Sequence, residues 1–282
     1  MADGFKAGVF HDLELESPED RRARKRKALN LAVERAVRHC PEFGDRLAKA
    51  GLKSDDVLDE EGFARIPALR KTDIIRLQAE KGVEYVLSQA PGEFSRIFQS
   101  PGPIYDFEGR ERDHWGWAEA FFACGFRPGD LVQMTFGYHL TPAGLMLEEP
   151  LRIIGCGVIP AGPGNTNVQL ELLKTLPVNG FVGMASYLKV IGEKAMQTGL
   201  DPVRDFKLRT AFVAAERLPD ELRSSVEAMF GITVRQGYGT ADVGCIAYEC
   251  SELSGMHVSS HRLVEICDPQ TALPVPDGQV GE

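Results

Sequence analysis

The chain has 282 residues, 43% hydrophobic and 26% charged, which allows one large or two modest globular domains with a buried core. Its 41 acidic against 32 basic residues leave a net charge of -9, which argues against a general nucleic-acid binder because phosphate binding needs a basic surface. No apolar run approaches the ~20 residues of a membrane span, and the opening "MADGFKAGVFHDLELE" lacks the basic and apolar regions of a secretory signal.

Six cysteines, Cys40, Cys124, Cys156, Cys245, Cys250 and Cys267, lie far apart. Without a secretory signal, such spacing reads as reduced thiols in a cytoplasmic protein.

The stretch "PEDRRARKRKALNLAVERAVRHC" predicts a helix over residues 18–40. Ser17 can cap it, Pro18 suits its first turn, and Glu19 and Asp20 complement its positive end. The cations of "RRARKRK" read as a solvated face. A short helix follows at "CPEFGDRLAKAGL", and another after "IPALRK", with Thr72 placed to cap it.

From Leu131 the pattern alternates. "LVQMTF", "CGVIP", "GFVGM", "RTAFVAA" and "ITVRQGYG" read as strands; "AGLMLEEPLRIIG", "TNVQLELLKTL", "ASYLKVIGEKAMQ" and "PDELRSSVEAMFG" read as helices. This order predicts an α/β fold with a mostly parallel sheet flanked by helices on both faces. Ligands of such sheets bind beyond the carboxyl ends of the strands, which singles out "FGYHLTPAG", "PAGPGNT", "AAERLP" and "QGYGTAD". At the end "RLVEICD" reads as a strand and "DPQTALPVPDGQ" as a hairpin. The expected organisation is a helical segment over 1–90, an α/β core over 91–255, and the start of a small β subdomain over 256–282.

Three loops carry residues suited to chemistry. "QGYGTADVG" offers an aromatic face at Tyr238 beside Thr240 and Asp242, able to stack on a base and to hold a Mg²⁺; it is equally a tight turn capped by Asp242. "FVAAERLPDELR" places small residues and Glu216 at a strand end, where a flat ligand can approach; it is equally a plain strand-to-helix loop. "PAGPGNT" opens a helix that Asn165 or Thr166 could cap, with no lysine following as in a Walker loop.

Taken together and in order, these stretches resemble the phenylacetate–coenzyme A ligase branch of the adenylate-forming superfamily, whose relatives include coenzyme F390 synthetase. The likeness runs from "CPEFGDRL" and "IPALRKTDI" through "GFRPGDLVQMTFGYHLTPAGL", "GCGVIPAGPGNTNVQLELL", "FVAAERLPDELR" and "QGYGTADVG" to "HRLVEICDPQTALPVPDGQVGE". The resemblance implies the large N-terminal domain of such an enzyme, without the C-terminal domain that carries the catalytic lysine. It also implies the ligation of an aromatic or other organic acid through an acyl adenylate to a coenzyme A thioester, with ATP, AMP, Mg²⁺ and coenzyme A as ligands and a homodimer as the assembly. Carried over, Tyr238 stacks on adenine, and Ala215 and Glu216 border it. Gly239 and Thr240 lie beside the α-phosphate, Asp242 holds Mg²⁺, and Tyr138 and His139 line the acid pocket. Some relatives look as if they bind a structural Zn²⁺ through residues matching Cys250 and His257; His257 is equally a surface strand residue.

The sequence departs from that family at the phosphate loop. Only Ser100 and Gly102 of "QSPGPIYDFEG" match its Gly/Ser/Thr/Lys pattern. Pro101 and Pro103 each remove a backbone N–H, no cation stands between Ser100 and Gly109, and Asp106 and Glu108 add negative charge. Ala241 replaces the hydroxyl residue before the metal-binding position, and Asp242 is one methylene shorter than the family's glutamate. These departures give a second expectation, a non-catalytic relative that binds an acyl or nucleotide ligand or a partner subunit.

Overall fold

The computed structural model describes residues 8–57, 60–100 and 102–282. Pro101 and the first seven residues of the opening stretch lie outside the described residues. The chain forms two units: Glu16–Arg110 with His261–Glu282, and Met1–Leu15 with Glu111–Ser260.

The first of these is mainly helical. Helix α1 spans Pro18–His39, and the Ser17 hydroxyl accepts the Asp20 amide at 3.1 Å as expected of its cap. Helix α2 (Pro41–Lys49) packs Leu47 with Val33 of α1 and with Leu52 and Val57 in a small core. Helix α3 (Glu60–Ala64) is short. Helix α4 (Lys71–Lys81) begins one residue before Thr72, so Thr72 lies in its first turn and Arg70 takes the cap position without a side-chain bond.

Strands β1 (Arg96–Ser100) and β2 (Ile104–Glu108) form an antiparallel hairpin, with Ser100 opposite Ile104. Gln78 of α4 pairs with the edge of β2 as a strand would, its amide oxygen accepting the Tyr105 N–H at 3.0 Å and its amide nitrogen donating to the Tyr105 carbonyl at 3.1 Å. Near residue 267 the expected strand is reduced to one bridge, Cys267 with Pro274. Pro274 and Pro276 have no N–H to extend a ladder. The turn survives, closed by Asp268 N–H to the Leu273 carbonyl and Val275 N–H to the Ile266 carbonyl, with the Asp268 carboxylate accepting the Gln270 and Thr271 amides at 2.8 Å.

The second unit holds the sheet. Helix α5 (Ala118–Cys124) precedes strand β3 (Leu131–Met134); then come α6 (Ala143–Ile154), β4 (Gly157–Pro160), α7 (Thr166–Thr175), β5 (Gly180–Gly183), α8 (Ala185–Gln197), the short α9 (Pro202–Asp205), β6 (Thr210–Val213), α10 (Asp220–Phe230), β7 (Thr233–Thr240), β8 (Gly244–Tyr248) and β9 (His257–Val258). Among the described residues the sheet has seven strands in the order β4-β3-β5-β6-β7-β8-β9, with the first five parallel and the last two antiparallel. The strands and helices expected between Leu131 and Gly239 are all present.

Side chains alternate across β6. Ala211 and Val213 join Leu188 and Ile191 of α8 and Val226 and Phe230 of α10 on one face. Phe212 points the other way, edge-on to Trp117 at 5.9 Å and to Phe121 of α5 at 4.6 Å. Helices thus cover both faces, and the strand ends are left as the place where loops can diverge.

Candidate nucleotide and acid site

Val213 at the end of β6 stands in register with Gln236 of the parallel strand β7. Ala214–Arg217 leaves the sheet after β6, while the neighbouring strand β7 runs on through Gly237–Thr240, paired with β8, before the turn at Asp242. The structure brings these two predicted stretches together.

Ala215 is exposed and adopts φ +70°, a left-handed conformation that costs a non-glycine residue roughly 1 kcal/mol or more. Glu216 fixes this corner. Its carboxylate accepts the Ser186 amide at 2.7 Å and the Ser186 hydroxyl at 2.8 Å, capping α8 from thirty residues away. The acid at this position is thus engaged in the scaffold, and Ala215 is the residue presented outward.

On β7, Gly237 and Gly239 lie against the Trp117 ring, and a side chain at either would overlap it. Between them Tyr238 is turned outward with 58% of its surface exposed, and the pairing to β8 shifts at Tyr238/Gly239. The ring is neither core nor covered. The Thr240 hydroxyl accepts the Val243 amide at 3.1 Å and the Trp115 indole N–H donates to the Ala241 carbonyl at 2.9 Å, which fixes the turn that carries exposed Asp242. A single carboxylate held at a turn suits Mg²⁺ that arrives with substrate phosphates, since that ion commonly takes one or two protein carboxylates and completes its shell elsewhere.

The base of β7 is anchored by a network the sequence did not suggest. Glu249 accepts Arg223 Nη2 at 2.7 Å and Nη1 at 3.0 Å, the Gln236 amide at 2.9 Å and the Gln236 side chain at 2.9 Å. Desolvation opposes its charge, but Arg223 and Gln236 outweigh that and hold its carboxyl below the ordinary range. The partners lie 13 and 26 residues away, so no local pattern marks them.

Beyond β3, Tyr138 is half-buried and His139 exposed. Burial, and after it the neighbouring Glu148, holds the Tyr138 phenol above its usual range, so it is protonated at neutral pH. Gly144 of α6 donates its amide to the Gly137 carbonyl at 2.9 Å, and a methyl there would overlap that carbonyl. Strand β5 lies between β3 and β6 and ends at buried Gly183, against the Thr135 hydroxyl. The Tyr138 loop and the Ala215 corner thus belong to one sheet edge with one strand end between them.

The remaining predicted positions fall elsewhere. Ser100 and Gly102 sit at the tip of the β1–β2 hairpin in the helical unit. Asp106, expected to repel a phosphate, is buried and bonded to the Ser100 hydroxyl; Glu108 accepts Arg96 Nη1 at 2.6 and 2.8 Å. Both acids are held in the hairpin's own packing. Cys250 Sγ and His257 Nε2 approach to 3.2 Å, and His257 is an exposed residue of β9. Among the described residues no third His, Cys, Asp or Glu completes a metal-sized cluster with that pair. Cys245 is a buried residue of β8. Cys124 and Cys156 are core thiols that burial pushes up to about 12, while Cys40 is only half-buried.

Two further titratable groups went unnoticed in the sequence. Asp113, at φ +52°, accepts the Trp117 and Ala118 amides at 2.9 Å, and burial pushes its carboxyl up to about 6. His11 Nε2 lies 3.3 Å from buried Glu119, which raises the imidazole pKa.

No known protein-family model matches the chain. It is 29% identical to a phenylacetate–coenzyme A ligase of Pseudomonas putida over 97% of this chain and 66% of that protein. It is 26% identical to the phenylacetate–coenzyme A ligase of Aromatoleum evansii, over 98% of this chain and 64% of that protein. The chain therefore spans just under two thirds of the length of the curated relatives it matches. Among solved structures, the 2-hydroxyisobutyryl-CoA ligase in complex with 2-HIB-AMP and CoA in the thioesterification state aligns over 100% of this chain and 63% of its own, with a TM-score of 0.90 at 21% identity. Its open conformation gives a TM-score of 0.84 at 23% identity over 91% of this chain and 63% of its own. The fold is that of the larger part of an acyl-CoA ligase. Among the described residues no helix is long and apolar enough to cross a membrane.

Proposed function

We propose that this homologue of the phenylacetate–coenzyme A ligases is the nucleotide- and acid-binding part of an adenylate-forming acid–coenzyme A ligase. The observation that carries the reading is the placement of the Ala215 corner and of Tyr238 on neighbouring strands just beyond the register pair Val213/Gln236, with a small exposed residue on one and an exposed ring on the other.

In this reading adenine stacks on Tyr238 and is bordered by Ala215 and by the loop that Glu216 holds. Gly239 and Thr240 lie beside the α-phosphate. Asp242 holds Mg²⁺, which would supply charge neutralisation at the phosphates. Tyr138 and His139 line the acid pocket. The acid's carboxylate oxygen bonds to the α-phosphorus as the bond to pyrophosphate breaks; the coenzyme A thiol then attacks the acyl carbon, loses its proton and releases AMP. The substrate class is an aromatic or other organic acid, and the setting is cytoplasmic, with a homodimer as the assembly. A Zn²⁺ at Cys250 and His257 would draw two of its four ligands from this pair.

The β1–β2 hairpin favours a second reading. Its tip offers no cation, and Pro103 has no N–H to give a phosphate. On that ground the chain is a ligand-binding relative that does not form the adenylate. Calorimetric titration with AMP and with ATP–Mg²⁺, beside an assay of acid-dependent pyrophosphate release, separates the two. Release of pyrophosphate establishes the ligase. AMP binding without ATP binding or release establishes the second reading, and no binding of either nucleotide contradicts both.

A further inference from the structure

The basic run of α1 has a place in the fold that its sequence did not disclose. Arg24 turns to Glu16, its Nε 2.9 Å from both carboxylate oxygens. Arg21, Arg22, Lys25 and Arg26 line one wall of a cavity of about 530 Å³, with Arg21 Nη2 donating to the Glu16 carbonyl at 3.2 Å and Lys25 Nζ to the Arg262 carbonyl at 2.5 Å. Their spacing puts them on one helix face with Pro18 and Leu29, which line the same cavity. The opposite wall is the turn-rich segment of the same unit, with Leu263, Val264, Ile266, Pro274, Val275 and Pro276. The hairpin bonds around Asp268 hold that wall in shape.

Two acids, Glu265 and Asp277, also line the cavity, so the lining carries four cations against two anions. Guanidinium groups present paired N–H donors that match phosphate oxygens, and several on one wall can grip one phosphate from different sides. The volume falls within the roughly 300–1,000 Å³ of ordinary small-molecule sites. The facing wall is apolar and proline-rich, suited to a ring or short alkyl body. A wholly solvated charge face would have no second wall.

We propose that this groove binds a small phosphate ester, its phosphate held by Arg21, Arg22, Lys25 and Arg26 and its body laid on the Ile266–Val275 wall. The site lies in the helical unit and uses none of the residues proposed for the nucleotide, so it stands or falls independently of that function.

Calorimetric titration with inorganic pyrophosphate and with ADP at fixed low salt tests the assignment in the native protein, in Arg22→Ala/Arg26→Ala and in Tyr238→Ala. Arg22 and Arg26 are exposed, so their loss leaves the fold intact. A Lys27→Ala/Arg38→Ala variant removes two exposed cations of the same helix that do not line the groove. The expected result is at least tenfold weaker pyrophosphate binding in Arg22→Ala/Arg26→Ala, little change in Tyr238→Ala or the control, and ADP affinity above that of pyrophosphate in the Tyr238→Ala background. Equal weakening in the control would reduce the effect to diffuse surface charge and overturn the site. So would pyrophosphate binding that vanishes with Tyr238 and ignores the arginines, or binding of duplex DNA with none of pyrophosphate.

Discussion

Val213 and Gln236 face each other in register across two parallel strands; the Ala215 corner follows the first at once, and Tyr238 lies just beyond the second on β7. That relationship sets Ala215 and Tyr238, twenty-three residues apart in sequence, on neighbouring strands, as the two walls of the proposed nucleotide slot.

Tyr238 is the wall with the more testable chemistry. Its ring is 58% exposed and packs little, so Tyr238→Ala leaves the melting temperature nearly unchanged. AMP binding weakens by about 1–3 kcal/mol, the usual worth of a base stacked on an aromatic side chain. Calorimetry with AMP beside a thermal melt measures both; unchanged AMP affinity would move the adenine elsewhere.

Glu216 acts on the other wall through Ser186. Glu216→Ala removes acceptors for an amide and a hydroxyl at the start of α8 and costs about 1–2 kcal/mol of stability, as other lost caps do. Denaturant unfolding reads that loss. Because Ala215 sits at φ +70°, freeing the loop also lets it relax, and AMP binding weakens beyond what the stability change explains. Ser186→Ala, which removes only one of the two bonds, falls between.

Gly144 sets how closely α6 approaches the Tyr138 loop. A methyl there meets the Gly137 carbonyl, which is backbone and cannot swing aside as a side chain would. Gly144→Ala is expected to cost about 1–3 kcal/mol, the range for overpacking, and to weaken acid binding in the ligase reading. Gly129→Ala is a different case: it has open space around it but φ +89°, so its cost is conformational and the acid site is untouched. Unfolding curves and acid titrations of the two variants distinguish crowding from backbone strain.

His11 and Glu119 give the fold a pH dependence with a defined sign. Glu119 raises the folded imidazole pKa, so the stability from this pair is fully present below the unfolded value of about 6.5 and is lost as pH rises through the folded one. His11→Gln is therefore expected to cost more at pH 5.5 than at pH 9, since the variant leaves buried Glu119 without this cation. Asp113 acts with the same sign. Its carboxyl is raised to about 6, so the stability it lends is present below the unfolded range near 4 and lost as pH rises through 6. Unfolding free energies at several pH values, repeated in Asp113→Asn, separate the two.

The sheet was legible because strand and helix patterns are local: "RTAFVAA" and "PDELRSSVEAMFG" announce themselves in a dozen residues. The exposed ring of Tyr238 was marked for the same reason, as a lone aromatic between two glycines. The hairpin over 96–108 was read only as a loop, because its prolines and glycines masked two strands of five residues. The strand expected near Cys267 failed for a related reason: the apolar run is there, but the prolines opposite it cannot complete the ladder. What no local pattern carries is the long-range bonding. Glu216 to Ser186, Glu249 to Arg223 and His11 to Glu119 each join residues that only the folded chain brings together.

The slot between the two corners is tested most directly by photolabelling with 8-azido-AMP and mapping the modified peptides. The account expects label on peptides containing Ala214–Arg217 and Gly237–Asp242, protected by unlabelled AMP and diminished in Tyr238→Ala. AMP-protected label confined to other peptides would contradict it.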